Sequence, residues 1–255
     1  MQVVILAGGQ GTRISDENTK VPKPLVEIGS IPILIHLMKY FSSFGHRDFV
    51  LLLGYKSHDI KRYFLEFDSR LNDIQINLAR NTSLKLESSS SMMDWNVTLL
   101  DTGIATMTGG RVLRAKKYLE SEFFLTYGDG LSDVNLDELL FSFRENGTIG
   151  TVTAVNPPSR YGAIELEGKL VKSFQEKPVN NSWINGGFFV FQKTICDFIE
   201  GDNSILERSP LENLTKSSQL SAYLHRGFWL GMDTPRDRDL LEDLWQRGSA
   251  PWERP

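Results

Sequence analysis

Residues 3–13 read "VVILAGGQGTR", an uninterrupted apolar run followed by a turn with glycine at 8, 9 and 11 and arginine at 13. A run from Val3 to Leu6 without polar alternation is what a strand covered on both faces requires, and such strands belong to sheets flanked by helices. Glycines where a strand ends let backbone N–H groups approach an anion with no side chain in the way. Arg13 adds a guanidinium able to grip the same anion at two points. The turn matches neither common phosphate motif. There is no G-x-x-x-x-G-K-[ST] string, and a G-x-G-x-x-G reading from Gly9 meets Ile14 where the third glycine belongs. Alone, the stretch reads equally as a phosphate cradle or as a tight turn.

The alternation of strand and helix continues outward from this point. "PILIHLMKYFSSF", residues 32–44, places Leu34, Leu37, Met38 and Phe41 at helical spacing, with Ser30 available as an N-cap. Residues 48–54 form a second apolar run, and residues 57–67 carry Ile60, Tyr63, Phe64 and Phe67 on one helical face. The order predicts a parallel α/β sheet with right-handed crossovers. Between Leu71 and Trp95 the pattern loosens: "IQINLA" alternates like a strand, and "ESSSSMM" reads as a loop or an excursion from the sheet. A helix near Gly109 follows, then strands in "EFFLTYGDG" and "GTVTAV". "YGAIELEGKLVKSFQEKP" reads as two strands joined by a Glu-Gly turn, "INGGFFVF" as another strand, and Thr234 to Gln246 as a closing helix. With no repeat and no linker, the 255 residues read as one mixed α/β domain with small insertions.

Composition narrows the function classes. Hydrophobic residues at 40% and charged residues at 24% are ordinary for a globular chain, and a net charge of -4 offers no electrostatic reason to expect nucleic acid. Cys196 is the only cysteine, which excludes an internal disulfide framework and suits a reducing cytoplasm; in "KTICDFIE" it reads as core. No stretch approaches the roughly 18 apolar residues of a membrane span, and the N-terminal run lacks the basic leader and cleavage pattern of a signal peptide.

Four clues carry chemistry. Besides the opening turn, "VPKPLVEIG" holds Lys23 between Pro22 and Pro24, which restrict the backbone and fix the position of one positive charge. "LTYGDG" puts Asp129 just beyond a buried strand, the end where open α/β sheets gather ligands. A carboxylate there suits Mg²⁺, which takes few protein ligands and fills its shell with phosphates and water. Asp233 in "FWLGMDT" is a second candidate carboxylate, readable also as the N-cap of the closing helix, and an Asp-Gly turn is the bland alternative for Asp129. "FQEKP" and "INGGFF" supply Glu176 and Lys177 for sugar hydroxyls and phosphate, with Asn185 and Gly186 offering an amide and a close backbone. No histidine of the four stands at convincing metal-ligand spacing.

Taken together, "LAGGQGTR", "PKP", "YGDG", "FQEKP", "INGGFF" and "GFWLGMDT" resemble, in order and approximate spacing, the sugar-1-phosphate nucleotidyltransferases. The strings "VEIGSIPIL", "VTLLDTG", "MTGGRVLR" and the terminal "APW" are similar to the cytidylyltransferase branch of that family. The resemblance covers nearly the whole chain and is weakest from about Asn72 to Asp94. It implies a Rossmann-like mixed, mostly parallel sheet flanked by helices, with small sugar-binding and oligomerisation insertions. The nucleotide-binding part would span about residues 1–130 and the sugar-phosphate-binding part about 131–255. It further implies CTP and α-D-glucose 1-phosphate as reactants, CDP-glucose and pyrophosphate as products, and Mg²⁺ as cofactor. The product would feed deoxysugars of bacterial surface polysaccharides such as O-antigen and lipopolysaccharide.

By the same resemblance, Leu6, Gly8, Gly9, Gly11, Thr12, Arg13 and Lys23 would bind the nucleotide, with Thr108, Gly109, Gly110 and Arg111 beside it. Arg13 and Lys23 would be catalytic, Glu176, Lys177, Asn185 and Gly186 would grip the sugar phosphate, and Asp129 and Asp233 would hold the metal. A homo-oligomer, with a hexamer as the suggested form, is implied as well, and no nucleic acid or membrane partner. One departure stands out: the family usually reads K-P-K-P, whereas here Val21 replaces the first lysine and Lys20 lies one step earlier. Weaker nucleotide binding, partial replacement by Lys20 and a changed substrate preference all remain open readings. The same chemistry with another NTP or sugar 1-phosphate, or a silent sugar-nucleotide-binding regulator, are the alternatives.

Overall fold

The structure, a computed structural model, describes residues 1–9, 21–67, 70, 74–77, 79, 82–85, 93–157, 163–175 and 182–253. Gln2–Ala7 forms strand β1, buried along its whole length as its composition demands. The same apolar logic produces β2 (Asp48–Leu53), β4 (Glu122–Tyr127), β5 (Gly150–Val155) and β6 (Ile184–Gln192). Two half-exposed strands, β3 (Asn96–Asp101) and β7 (Leu220–His225), close the edges. The seven strands lie in the order β7-β5-β6-β4-β1-β2-β3. All neighbours pair in parallel except β6, which runs antiparallel to both β5 and β4. The sheet is therefore mixed and mostly parallel, as the family resemblance implies.

Alternate residues of the central strands feed two cores. Val3, Ile5, Phe49, Leu51 and Phe124 face α1 (Ile33–Ser43), α4 (Leu136–Asn146), α6 (Pro235–Gln246) and the buried Trp252. Val4, Leu6, Val50, Leu52, Phe123 and Leu125 face α3 (Thr108–Ala115), α5 (Ser209–Lys216) and the short 3-10 helix Lys193–Phe198 that buries Cys196. A period-two strand between two helical layers explains why "VVIL" contains no polar residue. Helix α2 (Ser57–Leu65) packs Ile60 fully and Tyr63 and Phe64 partly against the first core, as the apolar face predicts, and Phe67 just beyond its end joins them.

Three local expectations need correction. Ser30 does not cap α1: it sits at φ 65 beside Gly29 at φ 58 in the turn between Glu27–Ile28 and Ile31–Pro32. Positive φ at both central residues is what a tight hairpin turn demands, so the residue is spent on the turn and Pro32 precedes the helix without a side-chain cap. In the hairpin of Ala163–Glu167 and Leu170–Gln175 the turn is Gly168-Lys169, with Glu167 still paired to Leu170. Thr234, not Asp233, caps α6, in a capping box with Asp237. The alternating "IQINLA" contains a real strand, Ile74–Asn77, paired with Thr82–Lys85. Most of "ESSSSMM" lies outside the described residues.

Candidate active site

From β1 the chain builds outward on one side through β2 and β3, then crosses back to place β4 on the other side. The gap beyond the carboxyl ends of β1 and β4 is the point where strand order reverses, and loops leaving in opposite directions open a crevice there. A cleft of about 610 Å³ occupies it, walled by Leu6, Gly8 and Gly9 after β1, by Ile104 to Thr108 after β3, and by Tyr127 and Asp129 after β4.

Lys23 closes one side of this cleft. Pro22 and Pro24 frame it at the start of a 3-10 turn over Lys23–Leu25, so its side chain leaves a constrained backbone. Its ammonium lies 2.5 Å from Asp129 Oδ2 and 3.0 Å from Asp233 Oδ1. Asp129 sits in the turn between β4 and the short strand Gly130–Ser132, which pairs with Trp229–Gly231 and so brings Asp233 alongside. Two carboxylates 104 positions apart in sequence thus converge on one cation. Burial pulls the Lys23 ammonium down, but the Asp129 charge and hydrogen bonds to both carboxylates outweigh it and raise its pKa above the usual lysine value.

Arg111 also lines the cleft, but its guanidinium is turned to the backbone. It donates to Leu53 O at 2.9 Å, Thr102 Oγ1 at 2.7 Å, Gly103 O at 2.8 Å and Gly8 O at 3.1 Å. One buried cation ties together the ends of β1, β2 and β3 and fixes the opening glycine turn. Burial is the largest influence on it and lowers its pKa, which for a guanidinium still leaves it charged. Gly8 and Gly54 make this possible: a Cβ at either would fall 2.5 and 2.3 Å from the guanidinium. Gly8 is therefore needed for this close approach, a reason that no phosphate motif expresses.

The other expected residues divide. Thr108 reaches the cleft from the start of α3. Gly109 and Gly110 instead face the backbone of 202–204, where a Cβ would meet Ser204 O at 2.8 Å and Asp202 O at 2.4 Å. Asn185 and Gly186 open β6; Gly186 O accepts from Trp229 Nε1 at 2.6 Å, and Asn185 Oδ1 accepts from Gly187 N at 2.8 Å. Gly11, Thr12, Arg13, Glu176 and Lys177 lie outside the described residues.

Sequence reasoning missed Tyr127 and Glu207. Tyr127 donates a very short hydrogen bond to Glu207 Oε1, while Glu207 Oε2 accepts from Thr108 Oγ1 at 2.8 Å. Burial, then the adjacent Glu207 charge, pushes the Tyr127 phenol far above its ordinary range, so it is a donor. Glu207 comes from the turn before α5, a segment with no recognisable pattern, so nothing local announced it.

Asp129 and Asp233 are hard oxygen donors already sharing one cation, which fits a divalent ion completed by phosphates and water. Among the described residues no three His, Cys, Asp or Glu side chains gather to hold a metal alone.

This arrangement of strand order, cleft and charge is that of a nucleotide-handling α/β enzyme, and residues 2–236 match the nucleotidyl transferase family model. The chain belongs to that family. It is 43% identical over 256 residues to the glucose-1-phosphate cytidylyltransferase of Salmonella typhi, covering 99% of this chain and 98% of that protein. It is 39% identical to the probable glucose-1-phosphate cytidylyltransferase of Bacillus subtilis, covering 99% of each. The crystal structure of HddC from Yersinia pseudotuberculosis shares the fold, with a TM-score of 0.70 at 24% identity over 96% of this chain and 99% of that one.

Proposed function

We propose that this protein transfers the cytidylyl group of CTP to α-D-glucose 1-phosphate, giving CDP-glucose and pyrophosphate. The observation that carries the reading is Lys23 held between Asp129 and Asp233 at the strand-order reversal. Similarity to the two cytidylyltransferases supports the choice of CTP and glucose 1-phosphate.

The nucleophile is a phosphate oxygen that is already anionic, so no general base is required. It attacks the α-phosphorus in line, the bond to the bridging oxygen breaks, and pyrophosphate leaves with its electron pair. The barrier lies in bringing two polyanions together, so positioning and fixed positive charge dominate. Lys23, kept protonated at neutral pH by its raised pKa, supplies charge inside the cleft. The Gly8–Arg13 turn is assigned to the triphosphate, with Arg13 on the departing pyrophosphate. Glu176, Lys177, Asn185 and Gly186 are assigned to the sugar phosphate, dividing the single domain near residue 130. Family members generally use a divalent metal; here Asp129 and Asp233 would hold Mg²⁺, which would neutralise phosphate charge. The exposed Ile164, Leu166, Val171 and Phe174 of the 163–175 hairpin support a homo-oligomer, with a hexamer as the expected form in sedimentation. The single buried Cys196 agrees with action in the cytoplasm, and CDP-glucose would supply surface polysaccharide synthesis, O-antigen and lipopolysaccharide among it.

Incubation with each NTP, Mg²⁺ and glucose 1-phosphate, reading pyrophosphate release, tests the proposal. CTP is expected to be used well above UTP, dTTP, ATP and GTP. Equal turnover of UTP and CTP overturns the cytidine assignment, and nucleotide binding without pyrophosphate release identifies a regulator instead.

A further inference from the structure

Lys23 holds the two oxygens that a divalent ion would also need. Its ammonium lies 2.5 Å from Asp129 Oδ2 and 3.0 Å from Asp233 Oδ1. A single nitrogen that close to both oxygens brings two like charges together, which is unfavourable unless a cation stays between them. Among the described residues no other donor reaches either carboxylate, so Lys23 alone offsets the pair. A divalent ion takes carboxylate oxygens at about 2.0–2.1 Å. Seated on Asp129 Oδ2, it would lie within about 5 Å of the ammonium on that same oxygen, and the two positive charges repel. Lys23 can yield without moving the fold. Pro22 and Pro24 hold its backbone, while its flexible four-carbon stem lets the ammonium swing into the cleft it lines. The side chains of Asp129 and Asp233 are 33% and 47% exposed, so each keeps a face open to an incoming ion. Two protein oxygens by themselves hold such an ion weakly, and among the described residues no third His, Cys, Asp or Glu joins them.

We propose that Lys23 is an internal counter-ion that reserves the Asp129–Asp233 pair and yields it to a divalent ion arriving with the triphosphate. The ammonium leaves the carboxylates as the ion reaches them, and pairs with phosphate that the nucleotide brings. Without nucleotide the displaced ammonium gains no new partner, so the ion by itself binds weakly. The proposal rests on the functional reading above for the metal ligands and the triphosphate. It adds that Lys23 opposes metal binding before the nucleotide arrives, a role separate from the charge it supplies during transfer.

Mn²⁺ binding to the full chain with no nucleotide or sugar present, read by electron paramagnetic resonance of the free ion alongside thermal melts, tests this. Lys23→Met keeps the aliphatic stem and removes the charge; it is expected to bind Mn²⁺ at least about ten-fold more tightly than wild type. Its Tm should also rise more on adding Mn²⁺, because the ion replaces the missing counter-charge. Lys23→Arg keeps the charge in a fork able to hold both carboxylates, and should bind Mn²⁺ no more tightly than wild type. Adding Asp129→Asn to Lys23→Met should abolish the gain. Unchanged or weaker Mn²⁺ binding in Lys23→Met overturns the proposal, as does equal tightening in Lys23→Arg or a gain that survives Asp129→Asn. If Lys23→Met does not fold, the wild type decides. Acetylation of the Lys23 amine, read by mass spectrometry, is expected to rise several-fold at saturating Mn²⁺ as the ammonium leaves its carboxylates; equal acetylation with and without the ion overturns the proposal. None of these readouts needs turnover. A protein that makes no CDP-glucose therefore refutes the functional reading and leaves the counter-ion to be decided by Mn²⁺ binding.

Discussion

Replacing Arg111 by alanine separates a guanidinium that ties strands from one that binds ligand. Four hydrogen bonds of 2.7 to 3.1 Å leave Arg111, but their loss is unequal. Leu53 O keeps Thr102 N at 2.9 Å and Thr102 Oγ1 at 2.6 Å, and Gly8 O keeps Tyr55 N at 3.2 Å. The uncompensated cost therefore falls on Gly103 O and on the acceptor side of Thr102 Oγ1. Two charge-assisted bonds at about 1.5–3 kcal/mol each give a destabilisation of about 3–6 kcal/mol. Urea unfolding followed by tryptophan fluorescence reads it as a lower midpoint with an unchanged slope. KM for CTP should rise as well, because the glycine turn loses its tie to β2 and β3. Arg111→Lys should recover about half the stability, since one ammonium cannot span three strand ends. If Arg111→Ala unfolds within about 1 kcal/mol of wild type while KM for CTP rises ten-fold, the strut argument is refuted and the guanidinium is a ligand-binding group.

Two further outcomes follow from the charged and buried groups. Asp129→Asn and Asp233→Asn are each expected to lower turnover at least about 100-fold with the fold retained by circular dichroism, because Lys23 keeps one carboxylate partner in either variant; a folded variant with wild-type turnover removes that residue from the site. His46 is buried against Phe124, and burial above all pushes its pKa down from 6.5 to about 4. The unfolded chain then binds the proton first as pH falls, so stability drops between about pH 6.5 and 4, by about 3 kcal/mol in total. His46→Leu should flatten that limb in urea titrations across the same range, and an unaltered slope would show that His46 binds no more protons in the unfolded chain than in the folded one.

Strands announced themselves where burial on both faces leaves no room for polar residues: "VVIL", "DFVLLL" and "EFFLTY" stand where the apolar runs put them. Helix α1 likewise follows from Leu34, Leu37, Met38 and Phe41, all buried. Edge elements were less legible. In β3 and β7 half the side chains meet solvent, so no apolar run marks them. Ser30 and Asp233 show the limits of local rules, since each satisfied a capping pattern while a hairpin turn and a neighbouring threonine decided the outcome.

Residue types in order along the chain were sufficient to specify an α/β layer structure, a glycine turn at the end of its first strand, and a lysine and two aspartates worth bringing together. These depend on short-range chemistry: burial, glycine's freedom, proline's restriction. Long-range contact decided the rest. Only the assembled sheet puts Lys23 between carboxylates from distant segments, makes Gly8 the floor under Arg111, and seats Glu207 behind both Tyr127 and Thr108. A hydrogen bond or ion pair between residues a hundred positions apart leaves no local periodicity, because its partners are set by how strands cross and not by what stands beside them.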